Sequence, residues 1–324
     1  MNRTIRNTIS GIGAAIIAAG LATGTNAQGY PDKQITFVVG FSAGGFADSV
    51  ARIIGEHVGK QLGQTVIVEN RGGAASNIAA RAVATAPADG YTVLVSTTSL
   101  AINASLYKKI NYSLLKDLTP VAIAVRSPET FSVASGRPNT LKAFIESAKS
   151  KKFTYGSAGV GSGSFLTWFS FFKNGAKVDV AHVPFKGGAP ATQAAIGGQV
   201  DGLAATASGN TVAQLTGGKL TCLAVAAAER YRRLPDCPTL AESGFKGFDG
   251  SSWVAFWVPT GTPADVVAKL NKAINSIAGD KKAADNLRRN GDLAGLSVND
   301  TNAFVKGEVA TWAERVKAAG VKIE

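Results

Sequence analysis

The sequence predicts an α/β protein of two lobes, with mixed, mostly parallel sheets and a hinge between the lobes. Three observations predict it. Apolar β-rich runs alternate with amphipathic helical runs along most of the chain. Glycines sit where those runs meet, just after a strand and just before a helix, most clearly at Val38-Val39-Gly40-Phe41-Ser42-Ala43-Gly44-Gly45-Phe46-Ala47-Asp48. The chain has 324 residues, enough for two domains.

Gln34–Val39 reads as a strand, Asp48–Leu62 as a helix stopped by Gly63, and Thr65–Glu69 as a second strand. Ile78–Ala86 is a helix ended by Pro87-Ala88-Asp89-Gly90, and Thr92–Ser96 is a strand running into the hydroxyl cluster Thr97-Thr98-Ser99. This βαβαβ unit predicts a parallel sheet covered by helices. A second unit has strands at Thr130–Ala134, Phe153–Ser157, Val178–Val183, Val200–Ala205 and Leu220–Ala226. Its helices are Leu141–Lys151, Phe165–Phe172 and the stretch ending near Ile196. Ser251–Val258 is a strand that returns the chain to the first unit, and Ala264–Ala278, Lys281–Asn290 and Thr301–Ala319 are terminal helices. The expected division is residues 28–128 plus 252–324 for lobe 1 and 129–251 for lobe 2. Two lobes with repeated crossings make a hinge, and ligands on such sheets bind at the carboxyl ends of the strands.

Residues 1–27 read as a secretory signal peptide. Arg3 and Arg6 precede an apolar run from Ile9 to Leu21, and Thr25-Asn26-Ala27 offers a cleavage site. The apolar run is shorter than the roughly 20 residues of a membrane span, so a periplasmic protein is expected. Removing 27 of the 324 residues leaves 297, and losing two arginines lowers the net charge from +12 to +10. No Lys/Arg tract or zinc-finger pattern accompanies that charge, which argues against nucleic acid and suits anionic ligands. Cys222 and Cys237 flank a turn; an exported protein can join them in a disulfide or carry them as two thiols. With His57 and His182 they match no metal-ligand spacing, so no metal and no cofactor is expected.

Catalytic constellations are missing from the motifs. Ser157, Ser162 and Ser164 have no G-x-S-x-G frame, and Gly159-Val160-Gly161-Ser162-Gly163 lacks the spacing of a dinucleotide loop. Backbone N–H groups at a helix N-terminus lack internal partners and carry the positive end of the macrodipole. Glycine lets an anion approach them closely. The chain therefore reads as a protein that holds a small anion without transforming it.

These motifs resemble those of the Bug-type solute-binding proteins, the extracytoplasmic receptors of tripartite tricarboxylate transporters. The resemblance runs over nearly all of the mature chain. It rests on Tyr30-Pro31-Asp32-Lys33, Phe41-Ser42-Ala43-Gly44-Gly45 with Asp48, and Val68-Glu69-Asn70-Arg71-Gly72-Gly73-Ala74. Pro87-Ala88-Asp89-Gly90-Tyr91-Thr92, Tyr155-Gly156-Ser157, His182-Val183-Pro184-Phe185-Lys186-Gly187-Gly188-Ala189-Pro190 and Pro259-Thr260-Gly261-Thr262-Pro263 follow in order. It implies a type II periplasmic-binding-protein fold, a Venus flytrap closing on a small carboxylate held by backbone amides, hydroxyls and water. It also implies delivery to membrane permease subunits; a periplasmic sensor presenting the carboxylate to a signalling kinase is the alternative. Monomer is the expected state. Carried over by position, Phe41, Ser42, Ala43, Gly44, Gly45, Phe46 and Asp48 form the first binding loop and Thr97 and Thr98 the second. Ser157, Ala158, Gly161 and Ser162 come from the other lobe, with Lys186, Gly187, Gly188 and Thr206.

Two departures bear on the ligand. After Gly197-Gly198-Gln199-Val200, where many relatives have an acidic residue, this chain reads Leu203-Ala204-Ala205-Thr206. That disfavours an amino acid. Phe46 stands where relatives carry small residues, and a ring there can stack on an aromatic acid. Phe165, Phe169 and Phe172 recur at helical spacing, which is the pattern of a core.

Overall fold

The structure, a computed structural model, describes residues 29–321; the signal-peptide reading lies outside them. The first sheet grows from β1 (Ile35–Val39), which pairs in parallel with β2 (Val66–Asn70) and β3 (Thr92–Thr97). β3 pairs antiparallel with a strand far along the chain, Ser251–Pro259, and that strand pairs with a 17-residue strand, β4 (Leu118–Ala134).

β4 runs through both lobes. Residues 118–128 pair with Ser251–Pro259, whereas residues 129–134 pair with β7 (Gly202–Thr206) and β8 (Leu220–Ala226). The second sheet is completed by β5 (Phe153–Ser157), parallel to β7, and β6 (Val180–Pro184), parallel to β5. In chain order the strand Ser251–Pro259 is β9, and a short β10 (Asp292–Leu293) adds to β4. Sequence reading finds only the last five residues of β4. Pro120 and Pro128 interrupt its apolar run, and proline inside a run argues against a strand. Both are accommodated here: Pro128 stands where β4 changes partners, and its carbonyl accepts from Ala207 N–H.

Eleven α-helices flank the sheets among the described residues. α1 (Phe46–Leu62) follows β1 and buries Val50, Ala51, Ile54 and Val58 against the first sheet, with Gly63 in the left-handed conformation closing it. The N-terminus of α1 lies two residues earlier than the apolar pattern predicts. α2 (Asn77–Ala84) and α3 (Ser99–Leu106) follow β2 and β3, and α4 (Leu114–Asp117) leads into β4. α5 (Leu141–Ser150), α6 (Gly163–Ser170), α7 (Gly188–Ile196) and α8 (Gly209–Thr216) belong to the second lobe. The chain ends with α9 (Ala264–Asn275), α10 (Lys281–Arg288) and α11 (Val298–Ala319) on the first sheet. Sequence reading passes over α3 and α8, both eight residues long, and the four-residue α4.

The aromatic residues after α6 begins are mainly structural. Phe131 of β4 packs edge-on against Phe144, Tyr155 and Phe172 and tilted against Trp168, filling the core of the second lobe. Phe165 is buried in the first lobe's core cluster and lies over His182. Cys222 and Cys237 are joined by a disulfide, their Cα atoms 5.6 Å apart. No helix among the described residues is long and apolar enough to cross a membrane.

Candidate functional site

Four helix N-termini converge on one cleft between the lobes: those of α1, α6, α7 and α8. Each follows directly from a local sequence device. The glycine pair Gly44-Gly45 turns β1 into α1, with Gly44 at φ +76°. The hydroxyl of Ser162 accepts from Phe165 N–H at 3.1 Å and caps α6. Gly187 and Gly188 open α7, and Ser208 caps α8 by accepting from Thr211 N–H at 3.3 Å. The cleft in this conformation is narrow, with a volume of about 40 Å³. Phe41 and Phe46 give it an apolar wall, and hydroxyls of Thr97, Ser162, Ser164, Thr206, Ser208, Thr211 and Ser252 lie around it. Among the described residues no Lys, Arg or His lines it. A larger, more open hollow of about 940 Å³ lies beside the disulfide, but all of its lining belongs to residues 139–245 of the second lobe, so lobe closure cannot shape it.

The structure brings some of the sequence-derived residues together and gives others different neighbours. Phe41, Gly45, Phe46, Thr97, Ala158, Ser162, Gly188 and Thr206 line the cleft. Ala43, Gly44 and Asp48 line a separate hollow with Arg52 and Arg289. The buried Asp48 carboxylate accepts from Gly44 N–H at 2.8 Å, from Asn70 Nδ2 at 2.9 Å and from Arg52 Nε at 3.0 Å. Burial pushes its carboxyl up, but these hydrogen bonds outweigh burial and hold it below the usual carboxylate range. Asp48 thus spends its lone pairs on the first loop itself. Thr98 Oγ1 accepts from Trp253 N–H at 3.0 Å and so anchors β9. Ser157 is engaged within its own lobe: its hydroxyl lies 2.7 Å from His182 Nε2 and accepts from Gly159 N–H. Burial lowers the His182 imidazole to about 4, leaving it a neutral partner. Lys186 lines a separate hollow with Phe185 and Gly159. Ser42, Gly161 and Gly187 form the contact between the lobes. Ser42 N–H donates to Lys186 O, and a Cβ on Gly161 would stand 2.2 Å from Asn103 Oδ1.

Sequence reasoning missed Glu129, Gly163, Ser164, Ser208, Asn210, Thr211 and Ser252, all of which line the cleft. The cap pattern Ser208-Gly209-Asn210-Thr211 was the signal available for α8. Glu129 left no such signal, because it sits in mid-strand at the crossing of β4. It is fully buried, and Thr206 Oγ1 donates to both its oxygens, at 3.2 and 3.1 Å. Burial pushes its carboxyl up to about 8, with the Thr206 hydrogen bond acting in the other direction.

Two α/β lobes joined by continuous strands, with helix N-termini aimed into the cleft between them, define a solute-binding receptor for a small anion. Residues 50–321 match the family model described as the tripartite tricarboxylate transporter family receptor. The periplasmic binding protein BugD superposes with a TM-score of 0.86 at 35% identity, over 91% of this chain and all of that one. An R. palustris protein solved with adipate gives 0.86 at 31% identity, over 90% and 99% of the two chains. MatC from Rhodopseudomonas palustris, solved with bound malate, gives 0.84 at 33%, over 89% and 100%. The chain belongs to this family of periplasmic solute-binding receptors, which are not enzymes.

Proposed function

We propose that the chain, exported by residues 1–27, captures a small carboxylate between its lobes and delivers it to the permease subunits of a tripartite transporter. The observation that carries this reading is the convergence of the four helix N-termini on a cleft without cationic side chains. Each N-terminus stabilises a nearby anion by about 0.3–1 kcal/mol, more where water is excluded. Recognition by amides and hydroxyls suits a carboxylate that must later be released. Adipate and malate in the two R. palustris relatives are consistent with such a ligand.

The lobes are residues 28–128 with 252–324 and residues 129–251, and the hinge lies where β4 changes partners at Pro128–Glu129. The contact residues are those that line the cleft, with Phe41 and Phe46 against the body of the ligand. That wall favours an acid with an aromatic ring or an aliphatic chain over one that is polar throughout. Ser42, Gly44, Asp48, Thr98 and Gly187 serve the site by holding its loops.

The test is a thermal-shift screen of the protein beginning at Gln28 against C4 dicarboxylates, adipate, citrate, benzoate, phthalate isomers and acidic amino acids. A ligand that binds only the native state raises Tm by mass action. A shift with one or more acids is expected. A folded protein that responds to none of them removes the carboxylate reading.

A further inference from the structure

Among the residues lining the cleft, Glu129 alone has an ionisable side chain. It stands opposite Thr206 on β7 and Ala226 on β8, and its own N–H donates to Gly250 O before β9. Gly163, the first residue of α6, lies so close that a Cβ there would be 2.8 Å from Glu129 Oε1. The glycine therefore lets the carboxyl reach the α6 N-terminus. None of these neighbours titrates. Charged and titratable groups on the surrounding elements are turned elsewhere: Arg126 of β4 lies over the Phe304 ring, Asp249 pairs with Arg315, and His182 of β6 is held by Ser157. Among the described residues no cationic side chain pairs with Glu129.

An ionised Glu129 would be a buried charge with no cationic side chain beside it, and the α6 N-terminus would offset only about 0.3–1 kcal/mol of its burial. It would also face the bound carboxylate as a like charge in a closed site. A neutral Glu129 has neither problem. One of its oxygens accepts from Thr206, and its O–H is a donor.

We propose that Glu129 determines the specificity of the site: as the neutral acid it donates its O–H to an oxygen of the bound carboxylate, selecting anions over zwitterions and amines. The proposal rests on the carboxylate reading above. It also changes the meaning of Leu203-Ala204-Ala205-Thr206, since the acidic group missing from β7 is present on the adjacent strand, at the position paired with Thr206. The elevated titration point of the Glu129 carboxyl agrees with this role. Binding requires the proton, so affinity stays level on the acid side of that point. On the alkaline side it falls as the proton is lost, by up to about tenfold for each pH unit.

The first measurement needs no ligand. Infrared difference spectra between wild type and Glu129→Gln at pH 7 should show a protonated-carboxyl band that the variant lacks; an ionised-carboxylate band instead overturns the proposal. The second is calorimetry with adipate and phthalate between pH 6 and pH 10. Wild-type affinity is expected to fall above about pH 8, with proton uptake on binding. Glu129→Gln keeps a donor but cannot titrate, so its affinity should hold level across the range, whereas Glu129→Ala should bind about tenfold more weakly from loss of the hydrogen bond. If Glu129→Gln does not fold, Thr206→Val serves instead. Removing that hydrogen bond should move the fall in affinity to higher pH. Equal pH profiles for wild type and variants overturn the proposal. So does tighter binding of a zwitterion such as aspartate that strengthens as pH rises. Binding of no acid at any pH, with the neutral-carboxyl band present, overturns the carboxylate reading itself.

Discussion

Ser42 donates its backbone N–H to the carbonyl of Lys186, 3.1 Å away, and so joins the first loop of one lobe to the loop before α7 of the other. Other hydrogen bonds span the same divide, among them Tyr107 Oη to Val160 O at 3.0 Å, Gly209 N–H to Asn290 Oδ1 at 3.1 Å, Lys173 Nζ to Ala319 O at 3.1 Å and Arg232 Nη2 to Asp292 Oδ1 at 2.6 Å. In this conformation the lobes are therefore closed on each other. At Ser42 and Lys186 the contact is backbone to backbone, so closure there depends on how near the two loops can approach.

That nearness predicts the effect of Gly187→Ala. A Cβ on Gly187 would lie 2.2 Å from Ser42 Oγ and 3.0 Å from Ser42 N. Both are below van der Waals contact, and one of the two atoms belongs to the backbone. The methyl group should hold the lobes apart while each lobe stays folded. We expect small-angle scattering to show wild type compacting with a saturating ligand and Gly187→Ala remaining expanded, with affinity lowered by about tenfold or more. Equal compaction in both proteins would show that this contact does not govern closure.

Gly44→Val is expected to act through strain rather than by blocking the anion. Gly44 has φ +76°, and the nearest atom to an added Cβ is Ala189 Cβ at 3.7 Å, so there is room for a side chain. A β-branched residue in that conformation costs about 1–3 kcal/mol. Denaturant unfolding should register this loss without ligand present. Unchanged stability with abolished binding would return Gly44 to the anion site.

The β1–α1 junction was legible because glycine has few other reasons to occur in such a cluster after an apolar strand. Its division of labour was not. Gly45 and Phe46 face the cleft while Asp48 faces the loop's own donors, and nothing in the residue types separates those roles. β4 was hidden by Pro120 and Pro128, and with it Glu129, although the boundary between the lobes was expected at residues 128 and 129. The rings of Phe165 and Phe172 read correctly as core because their spacing follows one helix face, whereas Phe169 of the same pattern is only partly buried. Phe46 differs in standing alone at a helix start, and it does line the cleft.

Asp48→Ala tests whether the carboxylate organises the first loop. Its loss leaves Gly44 N–H and Asn70 Nδ2 without their acceptor and should destabilise the protein by about 1–3 kcal/mol. The pH dependence has a definite sign. The carboxyl titrates lower in the folded state than its ordinary 3.8, so its contribution is present above about pH 4 and is lost as pH falls further. The difference in stability between wild type and Asp48→Ala should therefore narrow below pH 4. A constant difference down to pH 2 would count against this role.

Glu129 has the opposite sign. Its carboxyl titrates near 4.5 when exposed and about 8 when folded. Between those values the folded protein holds a proton that the unfolded chain has released, so stability is greatest below about pH 4.5 and declines as pH rises towards 8. The full loss is a few kcal/mol, at about 1.4 kcal/mol for each pH unit between the two titration points. Glu129→Gln removes this dependence, since the amide is neutral in both states. The variant should thus gain stability relative to wild type as pH is raised from 5 to 8, and the gain should level off above that. Ligand-free urea unfolding at several pH values measures it. A difference that stays flat across the range would mean that Glu129 is ionised in the folded protein, and the site would then have to be rebuilt around a ligand that carries a positive charge.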